Sequence, residues 1–555
     1  MPERILVAVA WPYANGPVHI GQAAGAYIPP DIFARYHRMK GNEVLMISGS
    51  DAHGTPVTLT AEKLGVTPEE VSSQYQADFL DSWERLGISY DLFTTTHTDN
   101  HAEVAQDVFL TLYNNGYIYK DSTLQAYCET DNRFLADRYV GGVCPHCGFD
   151  GARGDQCDNC GRPLDPQDLI DIACSICGHT PVFRETEHFF LKLSAFEDRL
   201  LEWMRAQTHW KPNVRNFSIS YLESGLHDRA ITRDIEWGVP VPLEGYENKR
   251  IYVWFEAVIG YLSASKEWAQ MQGQPDRWKD FWQDDCRSYY FMGKDNIPFH
   301  TIIWPAMLMG YGGLNLPYDV PANEYMNLEG RKASTSRNWA IWLPDYLDRY
   351  EPDPLRYVLA ASMPETSDSE FSWSEYVRRN NDELVATYGN LVHRVLTMVT
   401  RNFDGKVPEH GPLDDLSLAL LDKARESIEE TGKNIGLCRF RVALASAMGL
   451  AQETNRYLNE KAPWQAVKTD PAAAAITLWT SLTVINCLKT SLYPFLPFSS
   501  EKLHKMLGFD GSVQDDGWDW QPESLKAGQS LEKPVPLFVK LDEEIIELET
   551  RKLGR

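Results

Sequence analysis

An uninterrupted apolar run from Ile5 to Ala10 breaks into Trp11-Pro12-Tyr13-Ala14-Asn15-Gly16-Pro17, after which the spacing of apolar positions turns helical. A short apolar run closed by Gly and Pro predicts a buried strand, then a tight turn into a helix. Glu43 to Asp51 predicts a second strand, and residues 5–115 go on alternating short strands with amphipathic helices. That alternation is the pattern of a parallel α/β sheet. Such sheets bind ligands beyond the carboxyl ends of their strands, so Asp51 is expected at the same edge as the turn 11–16.

Around Cys128 the pattern collapses into Gly, Cys, Asp and Pro, and it recovers near Glu187-His188-Phe189-Phe190. From Arg250 the α/β pattern returns. Strands are expected at Arg250 to Phe255 and at Ser288 to Met292, the latter leading into Gly293-Lys294-Asp295-Asn296. The Cys-rich segment therefore reads as an insertion in a split nucleotide-binding domain. Residues 326–375 carry a Gly-flanked loop and then Pro352, Pro354 and Pro364, a compact connecting region. Beyond Glu375, long helical stretches separated by Asp404-Gly405, Gly411-Pro412 and Asp470-Pro471 predict an antiparallel helix bundle. Residues 510–534 read as an irregular strap, and Asp542 to Lys552 as a last polar helix. The expected divisions are 1–115 and 187–325 for the halves of a Rossmann-like catalytic domain, with 116–186 for the insertion, 326–375 for the connecting region and 376–555 for the helical domain with its strap.

A chain of 555 residues has room for three or four domains of the usual size. Its 43% apolar and 12% aromatic content excludes a disordered protein. No run of eighteen apolar residues occurs, and Met1-Pro2-Glu3-Arg4 leads directly into a strand, so a cytoplasmic protein is expected. The formal charge of −25 argues against a broad basic face for nucleic acid and confines any such contact to a local patch.

Seven of the ten cysteines crowd between Cys128 and Cys177. Cys144-x2-Cys147-x9-Cys157-x2-Cys160 presents two pairs of thiolates at the reach of a tetrahedral zinc ion, which would supply folding energy that this apolar-poor segment lacks. Four thiolates fill the coordination shell, so the role is structural. A second zinc would need Cys128, Cys174, Cys177 and either Asp131 or His179; the other reading is a degenerate site held by packing.

Two further stretches carry phosphate chemistry. Val18-His19-Ile20-Gly21-Gln22 opens the first helix, where free N–H groups and the helix dipole suit an anion, and Gly21 lets a flat base lie against the backbone. Lys332-Ala333-Ser334-Thr335-Ser336 offers a cation and hydroxyls on a Gly-flanked loop. In this order and separation the pair resembles the His-x-Gly-His and Lys-Met-Ser-Lys-Ser signatures of class I aminoacyl-tRNA synthetases. Pro12-Tyr13-Ala14-Asn15-Gly16-Pro17 and Asp51-Ala52-His53-Gly54-Thr55-Pro56 resemble the methionyl-tRNA synthetase family in particular, over about residues 4–500. Gln22 and Thr335 depart from the two signatures.

The resemblance implies activation of L-methionine with Mg-ATP to methionyl-adenylate and pyrophosphate, then transfer of the methionyl group to tRNA(Met), including the initiator. It assigns His19, Gly21, Gln22, Lys332, Ser334, Thr335 and Ser336 to ATP, with His19, Gln22, Arg233 and Lys332 acting in catalysis. Asp51 would receive the methionine ammonium group, although on its residues alone it also reads as a helix cap. Trp11, Tyr13, Trp254, Ala257, Tyr261, His300 and Trp304 would wall the thioether, with Trp11 and Val258 replacing a more usual Leu and Pro. Asn390, Arg394 and Trp464 supply an amide, a guanidinium and an indole, the groups that splayed single-stranded bases demand, and the family uses such positions on the anticodon. A monomer is expected. The rival readings are another synthetase of the class, for whose large editing insertion the chain has no room, and a non-catalytic RNA-binding paralogue.

Overall fold

A computed structural model describes the chain except for Met1, Asp137, Arg138, Asp155, Gln156, Asp158, residues 160–163, Asp284, Thr335, Ser336 and Arg555. At its centre five parallel strands run in the order Ala322–Asn323, Cys286–Gly293, Arg4–Val9, Glu43–Ser50, Leu92–Thr95. The first strand of the chain lies in the middle and is covered on both faces. Ile5, Val7 and Val9 point into one core, while Leu6, Ala8 and Ala10 point into the other. Burial on both sides explains why that stretch is continuously apolar. The strand order reverses between Arg4–Val9 and Cys286–Gly293, which opens the crevice where such sheets hold ligands.

The insertion stands on a long antiparallel pair, Ile118–Cys128 with Val182–Leu191, so its stem runs through the expected boundary at residue 186. Beyond it, Val140–Val143 pairs with Ala152–Arg153 and Ile170–Cys174 to form a small sheet around the cysteines. Its apolar cluster is small and includes Cys128, Cys144, Cys157 and Cys174.

One expected strand is corrected. Only Arg250–Ile251 is extended; a helix begins at Val253 and runs to Met271. Val253, Phe255, Val258 and Ile259 are all buried, and a short run of buried apolar residues has no period that separates strand from helix. The length of the stretch and Glu256 in its first turn carry the helix.

The helical region begins with Trp373–Arg378, which widens into a π-helical stretch, Arg379–Gly389, before Asn390–Asn402. Asp415–Gly436, Phe440–Lys461 and Pro471–Leu492 follow as the long helices of a bundle. Pro471–Leu492 is long and apolar enough to cross a membrane, but 78% of its most apolar window is buried inside the fold. The last helix is Glu544–Thr550, shorter than expected. The core on one face of the sheet continues without a break into this bundle, from Ile5 to Leu391 and Leu478.

Candidate active site

The turns after the first two strands are laced together. Asp51 N–H donates to the Pro12 carbonyl at 2.8 Å and Ala14 N–H to the Asp51 carbonyl at 2.9 Å. Asp51 is buried, and its Oδ1 accepts the His53 backbone N–H at 3.3 Å. Burial first and the neighbouring Glu256 carboxylate second push its pKa up to about 8, with His53 opposing.

The expected aromatic wall residues contact one another and their neighbours. Tyr13 meets Trp254 edge to face at 6.0 Å, and Trp254 stacks on Phe299 at 4.0 Å. Tyr261 and His300 share a hydrogen bond of 2.7 Å between the phenol oxygen and Nε2, and burial lowers the His300 pKa to about 4, so the ring is neutral. Ala257 is half-buried on the same helix as Trp254 and Tyr261. Trp11 lies over Gly49 and Gly260; a Cβ at either would come within 2.7 Å of the indole. Trp304 is set deeper, 1% exposed, with its indole N–H donating to Tyr290 O–H at 3.1 Å.

The phosphate turn is built by its own side chains. His19 caps the helical turn Ile20–Gln22, its Nδ1 accepting Gly21 N–H at 3.2 Å. Burial lowers its pKa to about 4, so a neutral ring with Nδ1 engaged keeps its proton on Nε2, ready to donate. Gln22 turns its Oε1 back to accept His19 N–H at 3.1 Å, a reciprocal cap that does not engage its amide N–H₂ group. A Cβ at Gly21 would meet the His19 ring at 3.0 Å and the Met326 carbonyl at 3.6 Å, which places Tyr325 and Met326 beside this turn. Lys332 pairs with Asn327 across a short hairpin, and its Nζ sits 4.4 Å from the centre of the Tyr325 ring. Lys294 approaches the same ring at 4.1 Å and is held by Glu324 at 2.7 Å and Asp368 at 2.9 Å. Ser334 bonds through its backbone to Trp339, while Thr335 and Ser336 lie outside the described residues. Arg233 lays its guanidinium 3.8 Å over the Tyr252 ring and donates to the Ala230 and Thr232 carbonyls. Its neighbour Asp234 pairs with Lys249 at 2.6 Å.

Two sulfur clusters occupy the insertion. The ligand atoms of Cys144, Cys147 and Cys157 lie within 4.8 Å of one another, while Cys160 lies outside the described residues. Cys128, Asp131, Cys174 and Cys177 gather equally closely, with Cys128 and Cys177 sulfurs 3.4 Å apart and Cys174 Sγ 3.1 Å from Asp131 Oδ2. His179 contributes a backbone carbonyl instead, to Cys174 N–H at 2.8 Å. In the bundle, Arg394 stands 5.3 Å over the half-exposed Trp464 ring, with its Nε buried and unpartnered, and Asn390 is exposed one turn before it.

Residues 5–396 match the family model of class I tRNA synthetases of the methionyl type, and residues 407–554 match the anticodon-binding domain of methionyl tRNA ligase. The chain belongs to the methionyl-tRNA synthetase family. It is 60% identical over 554 residues to the methionine–tRNA ligase of Dehalococcoides mccartyi, covering all of both chains. To the enzyme of Thermomicrobium roseum it is 55% identical over 579 residues, covering 100% of this chain and 99% of that one. Among solved structures, Mycobacterium tuberculosis methionyl-tRNA synthetase bound by methionyl-adenylate matches with a TM-score of 0.80 at 27% identity, over 97% of this chain and 100% of that one. The apo form of the same protein matches with a TM-score of 0.72, over 98% of each.

Within this methionyl-tRNA synthetase fold, several neighbours of the expected site gave no sign in the sequence. Phe299 backs Trp254, Trp342 meets His19 edge to face at 6.3 Å, and Tyr325 gathers two lysines. Each is an aromatic residue in an aromatic-rich chain, and only the fold separates these from the rest. Glu256 is a polar interruption in an apolar run, a local signal that says nothing of its partners.

Proposed function

We propose that this aminoacyl-tRNA ligase activates L-methionine with ATP and transfers it to tRNA(Met). The observation that carries the reading is a buried carboxylate with no Lys or Arg against it among the described residues, Asp51, on a turn laced to that of Tyr13, whose ring meets Trp254 edge to face, while Tyr261 and His300 bond each other. Such a site fits an unbranched thioether with an ammonium group at one end. The methionine carboxylate then attacks the α-phosphorus of ATP, forming a P–O bond as pyrophosphate leaves. His19 would donate from Nε2 to phosphate, and Lys332 and Lys294, drawn together on Tyr325, would offset charge building on the outer phosphates, with magnesium accompanying the nucleotide. Arg233 would lend further positive charge. No covalent enzyme intermediate is needed, so the protein contributes position and charge. In the second step the terminal ribose hydroxyl of tRNA attacks the acyl carbon and AMP leaves.

Cys144, Cys147 and Cys157, with Cys160, would hold a structural zinc; the crowding of three sulfurs in a segment of scant core fits that donor set. Cys128, Cys174 and Cys177 with Asp131 would hold a second. The Arg394 and Trp464 pair, with Asn390, fits unstacked anticodon bases. Methionine-dependent exchange of pyrophosphate into ATP tests the whole: turnover with methionine and none with isoleucine or cysteine is expected, and no exchange with any amino acid would leave the non-catalytic reading.

A further inference from the structure

Directly behind Asp51 lies a cluster of ionisable side chains that neither reaction step uses. Glu256 is wholly buried, with Oε1 2.8 Å from His53 Nδ1 and Oε2 3.9 Å from His101 Nε2. His53 Nε2 is 3.2 Å from His97 Nδ1, and the His53 backbone N–H is the one that bonds Asp51. The cluster draws on four separate elements. Asp51 and His53 come from the turn after the second strand, His97 from the loop after Leu92–Thr95, His101 from helix Asp99–Asn114 and Glu256 from helix Val253–Met271. The turn itself is pinned from two sides: Ala52 N–H donates to Thr96 Oγ1 at 2.9 Å, and Trp237 N–H donates to the Ala52 carbonyl at 2.6 Å. Other charges near the cluster are Arg250, which acts weakly on His53, Glu69 at 4.0 Å from His97, Asp99, which also acts on His97, and Glu267, which faces His101.

We propose that Glu256 is a positioning residue for Asp51, acting through His53: the buried pair fixes the turn that aims the Asp51 carboxylate at an incoming ammonium group. The inference rests on the reading of Asp51 as the ammonium receptor. Two carboxylates sharing one low-dielectric pocket do not both ionise at low cost, so the better-supported one takes the charge. Glu256 has two imidazoles against it, and these outweigh its burial and bring its pKa down to about 2. Among the described residues Asp51 has one backbone N–H bonded to its carboxylate, and the Glu256 charge lies nearby. The empty pocket thereby avoids an unpaired buried charge, and methionine binding below the Asp51 pKa of about 8 releases a proton.

The test is the pH dependence of methionine KM and of kcat in pyrophosphate exchange, from pH 6 to 9, for the parent, Glu256→Gln, His53→Asn and Asp51→Asn. In the parent, methionine KM should climb as pH falls below about 8, approaching tenfold per unit. Glu256→Gln removes the larger of the two charges acting on Asp51 and should move this limb toward acid. His53→Asn removes the opposing charge and should move it toward alkali, with kcat at saturating methionine changing less than KM in both. Superimposable profiles, or shifts in the same direction, would overturn the proposal, since loss of packing alone has no reason to give opposite signs. If Glu256→Gln does not fold, the direction of the His53→Asn shift decides by itself. Asp51→Asn separates the underlying reading: it should abolish the limb and raise KM at least tenfold, and an unchanged KM there sinks the ammonium assignment and not merely the role of Glu256.

Discussion

Asp31 and Asp51 are both buried carboxylates, and the protein treats them in opposite ways. Asp31 bonds Arg356 at 2.6 Å and Arg35 at 2.9 Å, and its other oxygen accepts Ser89 N–H and Oγ–H at 2.8 and 2.6 Å. Burial alone would raise its pKa; the two guanidinium groups and Ser89 outweigh that and hold it at about 2. Arg356 in turn donates to the Pro494 and Phe495 carbonyls, so the network ties the helix after the phosphate turn to the helical bundle. Asp51 has no Lys or Arg against it among the described residues; burial and the Glu256 charge outweigh His53, and its pKa rises to about 8. A buried charge whose partners are all internal holds a structure together; one whose partner is missing is set aside for a ligand.

Removing each carboxylate should therefore change stability with opposite sign. Asp31→Ala leaves two buried guanidinium groups uncompensated, and a loss of about 3–5 kcal/mol in denaturant unfolding is expected. Because the folded pKa of Asp31 lies below its unfolded value of about 3.9, its stabilisation is present above that pH and fades as pH falls toward 2. An unchanged unfolding midpoint in the alanine variant would mean that the network is solvated.

The Asp51 side of the comparison is smaller in stability and larger in binding. Its folded pKa lies above the unfolded one, so the folded state loses stability as pH rises from about 4 through about 8. Asp51→Asn should be more stable than the parent at pH 8, by roughly 1–3 kcal/mol, while methionine affinity drops by about 2–5 kcal/mol. A variant less stable than the parent at pH 8 would erase the contrast with Asp31.

What the sequence made legible follows the same division. Motifs whose parts are near in the chain could be read directly: Cys144-x2-Cys147, the turn 12–17, and Lys332 with its flanking glycine. Asp51 could be placed at the sheet edge because strand order and direction follow from the α/β pattern. The Asp31 network joins residues 325 apart, and Glu256 meets His53 across 203, so neither pairing leaves a local trace. The helix Val253–Met271 was misread at its start because a run buried on all sides carries no period.

The bundle offers a third case, a charge poised at the surface. Arg394 has buried, unpartnered nitrogens but keeps its face on the half-exposed Trp464. Trp464→Ala should weaken aminoacylation through loss of about 1–3 kcal/mol of base stacking while pyrophosphate exchange stays at the parent level. Equal loss in both assays would place the indole among the structural residues with Asp31.

The smallest effect is expected at Gln22, the clearest departure from the family signature. The family signature sets a histidine there; the Gln22 carbonyl oxygen caps His19 N–H at 3.1 Å, and its N–H₂ group is the donor left for phosphate. Loss of one cap costs about 0.5–2 kcal/mol, and His19 retains its own bond to Gly21 N–H. Gln22→Ala should therefore lower stability by about that amount and slow adenylation by no more than about tenfold, the kinetic equivalent of about 1.4 kcal/mol. Single-turnover adenylation at saturating ATP and methionine reads the chemical step apart from binding. A loss of a hundredfold or more, with stability unchanged, would mean that the amide N–H₂ group donates to phosphate in the transition state, and Gln22 would then join Asp51 among the groups held ready for a ligand.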